Sequence, residues 1–299
     1  MKKKVIVTGG AGFIGHHLVS RLNNLGYQIL ILDNLSTGFE KNIPLSENIF
    51  FQNLDIRSCL SSVFSDFKPE IVFHLAARPS VPFSVANPIL SNDINIYGTL
   101  NLLDVSLKNN VKRFIFSSSS SVYGGTSGNP SSEIDSPNPQ SPYALQKLVG
   151  EEYCKLFVKY GLDTCSLRYF NVFGKDQDPN SAYAAVIASF LKHKKENSIP
   201  TIYGDGEQKR DFCYVDNVVL ANLAAATRTA PINGESFNIG CGTNISINNV
   251  AKYFDFKKIN YLDERPGDVK VSLSDISKAQ ALLGYFPKVD FESGIKDLI

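Results

Sequence analysis

Residues 5–15 read Val-Ile-Val-Thr-Gly-Gly-Ala-Gly-Phe-Ile-Gly, and no other stretch so narrows what the chain can fold into. Val5, Ile6 and Val7 form the unbroken β-branched run of a strand buried on both faces. The amphipathic segment 16–25 then reads as a helix. Between them, Gly9, Gly12 and Gly15 are spaced three and three. That spacing lets the backbone turn tightly, lets it approach a pyrophosphate, and lets the helix pack on the strand. Phe13 and Ile14 lie inside the loop, with the phosphates expected at the helix N-terminus.

The next strands extend this pocket. Residues 28–32 form a second apolar strand ending in Asp33, about 20 residues past the glycines, where an acid grips the adenosine ribose hydroxyls. An acid there repels a 2′-phosphate, so NAD is favoured over NADP, although Lys41 nearby pulls the other way. Asn34, Ser36, Thr37 and Gly38 are placed to line the same pocket. A third strand, 49–52, leads to Asp55 and Ile56, fit to hold adenine by its amino group and its face. A fourth, 71–74, runs into Leu75, Ala76 and Ala77, small enough for close approach of a cofactor, and then into the stiff loop 78–84. On the helix that follows, Asn95 is expected to bond to backbone beside the active strand.

With 299 residues, 43% of them hydrophobic, the chain can bury a full core. A net charge of +1 with acids and bases evenly spread argues against nucleic acid or an anionic membrane as the main partner. No run of about 18 apolar residues and no secretory leader is read, so a cytoplasmic protein is expected. Five scattered cysteines read as reduced thiols, and four histidines, two adjacent at His16 and His17, lack metal-ligand spacing. No metal is expected.

Near the middle, the apolar run 113–116 empties into Ser117, Ser118, Ser119, Ser120, Ser121, Val122 and Tyr123. A helix then opens at Ser141, fit to cap it, and Pro142, at the position where proline costs least. Tyr143 and Lys147, four residues apart, stack on one face of that helix. An ammonium beside a phenol is expected to lower its pKa from about 10 and make it a general base. A sixth strand, 163–168, completes the βαβ alternation of an α/β fold. From residue 171 prolines and glycines break the chain into short pieces. A cofactor-binding unit of residues 1–170, with a returning segment near 229–245, and a smaller unit of residues 171–299 are therefore expected.

With these motifs in hand, the chain resembles the extended short-chain dehydrogenase/reductase family over nearly its whole length, and within it the UDP-sugar 4-epimerases. The resemblance implies a Rossmann-type doubly wound parallel sheet with a smaller C-terminal α/β substrate domain, and NAD as cofactor. The family's catalytic serine, base and lysine fall on Ser119, Tyr143 and Lys147; Ser117 and Phe170 join the cofactor-binding set. Tyr143 as phenolate would take the proton from the sugar 4-hydroxyl, Ser119 would hydrogen-bond that oxygen, and Lys147 would hold the nicotinamide ribose. Sister dehydratases and decarboxylases carry an acid where Ser121 stands, so water elimination is not expected. The substrate set carried over is Ser80, Ser119, Ser121, Tyr143, Asn171, Gln177, Thr201, Tyr203, Arg210, Arg265, Asp268 and Ser272. Of these, Arg210 and Arg265 match diphosphate-binding arginines, suited to bidentate contact. Ser272, where glucose-restricted relatives have tyrosine, leaves room for an N-acetyl group. The resemblance also implies a homodimer through a four-helix bundle built on residues 94–107 and 145–158. The readings left open are a UDP-glucuronate 4-epimerase, another sugar-nucleotide-modifying enzyme, or a non-catalytic NAD-sensing protein.

Overall fold

A computed structural model describes residues 2–126, 129–178, 186–264 and 269–299. Seven parallel strands make the central sheet: β1 (Lys4–Thr8), β2 (Gln28–Asp33), β3 (Ile49–Asn53), β4 (Ile71–His74), β5 (Arg113–Ser119), β6 (Asp163–Tyr169) and the Ser236–Ile239 strand. Their order across the sheet is β3, β2, β1, β4, β5, β6, Ser236–Ile239. The chain winds outward from β1 to β3, then crosses back to lay β4 against the other side of β1. The loops after β1 and β4 therefore leave the sheet in opposite directions, and a crevice opens between them at the carboxyl ends.

Alternation of side chains assigns the two faces. Val5, Val7, Ile29, Ile31, Ile115 and Leu167 point to one side, where α1 (Phe13–Asn24) brings Leu18 and Leu22. Ile6, Leu30, Val72, Phe114 and Phe116 point to the other. That side is covered by α2 (Ser61–Phe67), α5 (Gly98–Lys108) and α6 (Pro142–Val158). Short helices α3 (Val81–Ala86) and α4 (Pro88–Asn92) precede a π turn, Asp93–Tyr97, which runs into α5. A helical run over 94–107 was expected, and the π turn shifts its register at Asn95.

The part of the chain that returns to the sheet is larger than residues 229–245. Two parallel neighbours need a crossover, and between β6 and the Ser236–Ile239 strand that crossover contains α8 (Val215–Thr227), packed beside α1. Between β6 and α8 lies α7 (Val186–Lys195). Among the described residues, the rest of the chain carries three short ladders: Val172–Phe173 with Cys213–Tyr214, Thr201–Tyr203 with Asn260–Leu262, and Lys209–Arg210 with Ile245–Ser246. These surround a second core that includes Phe173, Phe190, Ile202, Phe212 and Phe254.

Candidate active site

The crevice is a cleft of about 550 Å³. Of the expected cofactor residues it is lined by Gly9, Gly12, Phe13, Ile14, Gly15, Asp33, Asn34, Ser36, Thr37, Asp55, Ile56, Leu75, Ala76, Ala77, Ser117, Tyr143 and Lys147. The glycine loop folds back on itself, Gly12 N donating to the Gly9 carbonyl at 3.1 Å. Gly9 has φ +70°, and a Cβ there would lie 2.7 Å from Ala76 N; a Cβ on Gly15 would strike the Gly9 carbonyl oxygen. The loop can thus be this tight only with glycine at both places.

Asp33 is buried at the end of β2, accepting from Ala11 N at 3.0 Å and Leu35 N at 2.8 Å. Asp55 accepts from Arg57 Nη2 at 2.8 Å and Asn34 Nδ2 at 2.9 Å. The Arg57 hydrogen bonds, foremost, hold its carboxyl at about 2, so it is an ionised acceptor across the working range. Carboxylates at both of these strand ends and a glycine loop leading into the N-terminus of α1 fit a dinucleotide whose adenosine ribose carries free hydroxyls.

Three expected cofactor residues lie elsewhere. Gly38 packs on the Ala11 backbone, outside the lining. Phe170 is buried with Val122 and Tyr123, because the residue after β6 turns its side chain away from the cleft that Tyr169 enters. Asn95 holds the cleft wall from behind: its Oδ1 accepts from Arg78 N at 2.8 Å and its Nδ2 donates to Gln146 Oε1 at 2.7 Å. Sequence reasoning missed Arg57, Phe83, Ile94, Ser118 and Tyr169 on the lining and did not place Arg78 in the cofactor set. Arg57 and Arg78 come shortly after the carboxyl end of a strand, and Ser118 and Tyr169 lie in the last two residues of one.

Helix α6 forms as its opening predicts. Ser141 caps it, accepting from Ala144 N at 3.2 Å, and Pro142 is at its start. Ser84 Oγ accepts from Tyr143 N at 3.1 Å, which fixes where the helix begins relative to the 78–84 loop. Ser119, at the end of β5, faces the Tyr143 hydroxyl and favours its ionised form, while its Oγ accepts from Ser121 N at 3.2 Å. Lys147 donates to the Ser117 carbonyl at 2.7 Å and lies 4.8 Å from the Phe116 ring centroid.

One electrostatic expectation is corrected. Burial pushes the Tyr143 phenol up to about 12, against the smaller opposing effect of Ser119. Burial likewise depresses Lys147 to about 8. In the protein alone, desolvation outweighs any help the ammonium gives the phenol, from which ring it stands 5.9 Å away. A further positive charge in the cleft would lower the phenol.

Beyond the cleft, folding joins Asn171 to Ser272, 101 positions away: Asn171 Nδ2 donates to Ser272 Oγ at 3.1 Å and to the Asp211 carbonyl at 2.9 Å. Arg210 belongs to the same framework, since Ser272 N donates to the Lys209 carbonyl at 3.0 Å. Thr201 and Tyr203 lie on a separate ladder. Ser80 caps α3, accepting from Phe83 N at 3.1 Å. Ser121 Oγ and Gln177 Oε1 are buried without a partner among the described residues. Arg265 and Asp268 lie outside the described residues.

Comparison with known proteins gives a consistent answer. The model of the NAD dependent epimerase/dehydratase family matches residues 5–240. A solved UDP-N-acetylglucosamine 4-epimerase from Methanobrevibacter ruminantium, in complex with UDP-N-acetylmuramic acid, is 42% identical with a TM-score of 0.94, covering 100% of this chain and 97% of its own. A UDP-glucose 4-epimerase from Thermotoga maritima with UDP-glucose is 41% identical with a TM-score of 0.94, covering 99% and 97%. A UDP-glucuronate 4-epimerase from Thermodesulfobacterium geofontis is 36% identical over 97% of this chain and 93% of its own length.

Proposed function

The chain belongs to the NAD dependent epimerase/dehydratase family, and we propose that it inverts carbon 4 of UDP-hexoses, with the pair UDP-N-acetylglucosamine and UDP-N-acetylgalactosamine as principal substrates. When bound, NAD supplies a reversible hydride acceptor at carbon 4. The residues of this chain do the rest. Ser119, beside the Tyr143 phenol, reaches the same sugar oxygen and aligns it with the phenol. Tyr143 takes the proton from that hydroxyl and later returns it. Lys147, held by the Ser117 carbonyl, is placed for the ribose next to the reacting ring. The 4-keto sugar turns over before the hydride returns on its other face, so the cycle has no net redox change. Ser121 in place of an acid accords with epimerisation rather than loss of water.

The contact between Asn171 and Ser272 carries the choice of acetylated sugars. A hydroxymethyl side chain at that place leaves the volume that a tyrosine ring would fill. The assay is proton NMR of the purified protein, without added cofactor, on UDP-N-acetylglucosamine and UDP-glucose separately. Conversion of the first to its galacto epimer supports the reading. Conversion of UDP-glucose alone refutes the acetyl argument and keeps the chemistry; no conversion of either with NAD supplied, and turnover of UDP-glucuronate, refutes both.

A homodimer accords with the apolar side chains left exposed on the helices flanking β4 and β5, Ile89, Leu90, Tyr97, Leu145 and Leu156. No helix among the described residues is long and apolar enough to cross a membrane. A cytoplasmic location accords with five cysteines that are all free thiols.

A further inference from the structure

His16 and His17 offer no ligand spacing along the chain, yet folding brings Asp176 to them from 160 positions away. One donor atom from each of the three lies within 4.8 Å of the others. The hydrogen bonds around the rings decide which nitrogens are available. His16 Nδ1 lies 2.9 Å from the Gly12 carbonyl, which only accepts, so Nδ1 carries a proton and, in the neutral ring, Nε2 holds the lone pair. His17 Nε2 lies 3.0 Å from the Lys175 carbonyl, which by the same reasoning leaves the lone pair on Nδ1. An imidazole whose second nitrogen donates to a backbone carbonyl is the arrangement metal-bound histidines adopt.

The separation of His16 Nε2 from Asp176 Oδ2 is 3.5 Å, too long for a good hydrogen bond. It is close to the roughly 3.3 Å between neighbouring ligands of a tetrahedral ion with bonds of about 2.0–2.1 Å. The His16 side chain is 10% exposed and that of Asp176 67%, so the group is anchored on one side and open to solvent on the other. None of the three residues lines the cleft that holds Tyr143 and Lys147.

We infer that His16, His17 and Asp176 form a binding site for one first-row divalent cation of the kind imidazole and carboxylate select, with water completing the shell. The ion ties the first turn of α1, directly after the glycine loop, to the 174–178 segment that carries Gln177. It thereby couples the cofactor side of the molecule to the substrate side.

Titration of the metal-stripped full-length protein with zinc chloride tests this, alongside the visible absorption of four-coordinate Co²⁺. One equivalent should bind the wild type and raise its Tm. Asp176→Ala, which alters an exposed side chain, and His16→Ser should each abolish that equivalent and the Co²⁺ bands. Absence of binding to the wild type, or retention of the same stoichiometric site in either variant, overturns the inference.

Discussion

Replacing Lys147 by methionine should stabilise the cofactor-free protein while abolishing its activity. Lys147 is 4% exposed, and burial, as the largest effect, depresses its ammonium from 10.5 to about 8. The nearest carboxylate, Glu151, is itself engaged by Arg168 Nη2 at 2.6 Å. At about 1.4 kcal/mol per tenfold, the interval between those values corresponds to roughly 3 kcal/mol spent on holding the charge at pH 7. Losing the hydrogen bond to the Ser117 carbonyl takes back about 1 kcal/mol. A net gain of about 2 kcal/mol remains, or a Tm rise of roughly 3 °C for a chain of this length. Because the folded pKa lies below the unfolded one, both states are charged below pH 8 and the wild type bears the full penalty there. From pH 8 to 10.5 the unfolded chain holds more protons than the folded one, so wild-type stability rises with pH and the advantage of methionine fades. Urea unfolding of both proteins, stripped of NAD, at pH 7 and pH 10 measures this. A variant no more stable than wild type at pH 7, or one whose advantage is the same at pH 10, refutes the reasoning.

Tyr143→Phe should lower kcat by about 10²–10⁴ while NAD stays bound, read from turnover and from the nucleotide released on denaturation. Gly15→Ala should yield a folded protein purified without NAD, since its Cβ would strike the Gly9 carbonyl and displace the loop; full cofactor occupancy would contradict the cradle geometry. Ser272→Tyr should remove turnover of the acetylated UDP-sugars and spare UDP-glucose, measured as kcat/KM for each pair. Glu151→Gln should destabilise the fold by about 3–5 kcal/mol in a thermal melt. That carboxylate is fully buried against Arg168 and also bonded by Ser118 Oγ and Ser236 Oγ.

Local features of the sequence were enough for the frame of the site. The glycine spacing, Asp33 and Asp55 at strand ends, and Tyr143 with Lys147 on one helical face all follow from period two in strands and 3.6 in helices, which set side-chain direction within a single element. The strands read from apolar runs are the strands of the sheet. What required tertiary structure is everything that depends on which elements meet. Asn95 reaches Gln146 and the Arg78 backbone only because the π turn lies against α6. Asn171 meets Ser272, and His16 meets Asp176, across loops of more than a hundred residues. The side on which Phe170 is buried, and the crossover role of α8, were likewise decided by packing. The charge state of the catalytic pair belongs to the same class: a four-residue spacing places the ammonium near the phenol, but the desolvation that moves Tyr143 up and Lys147 down arises from the whole core closing around them, and no local pattern encodes it.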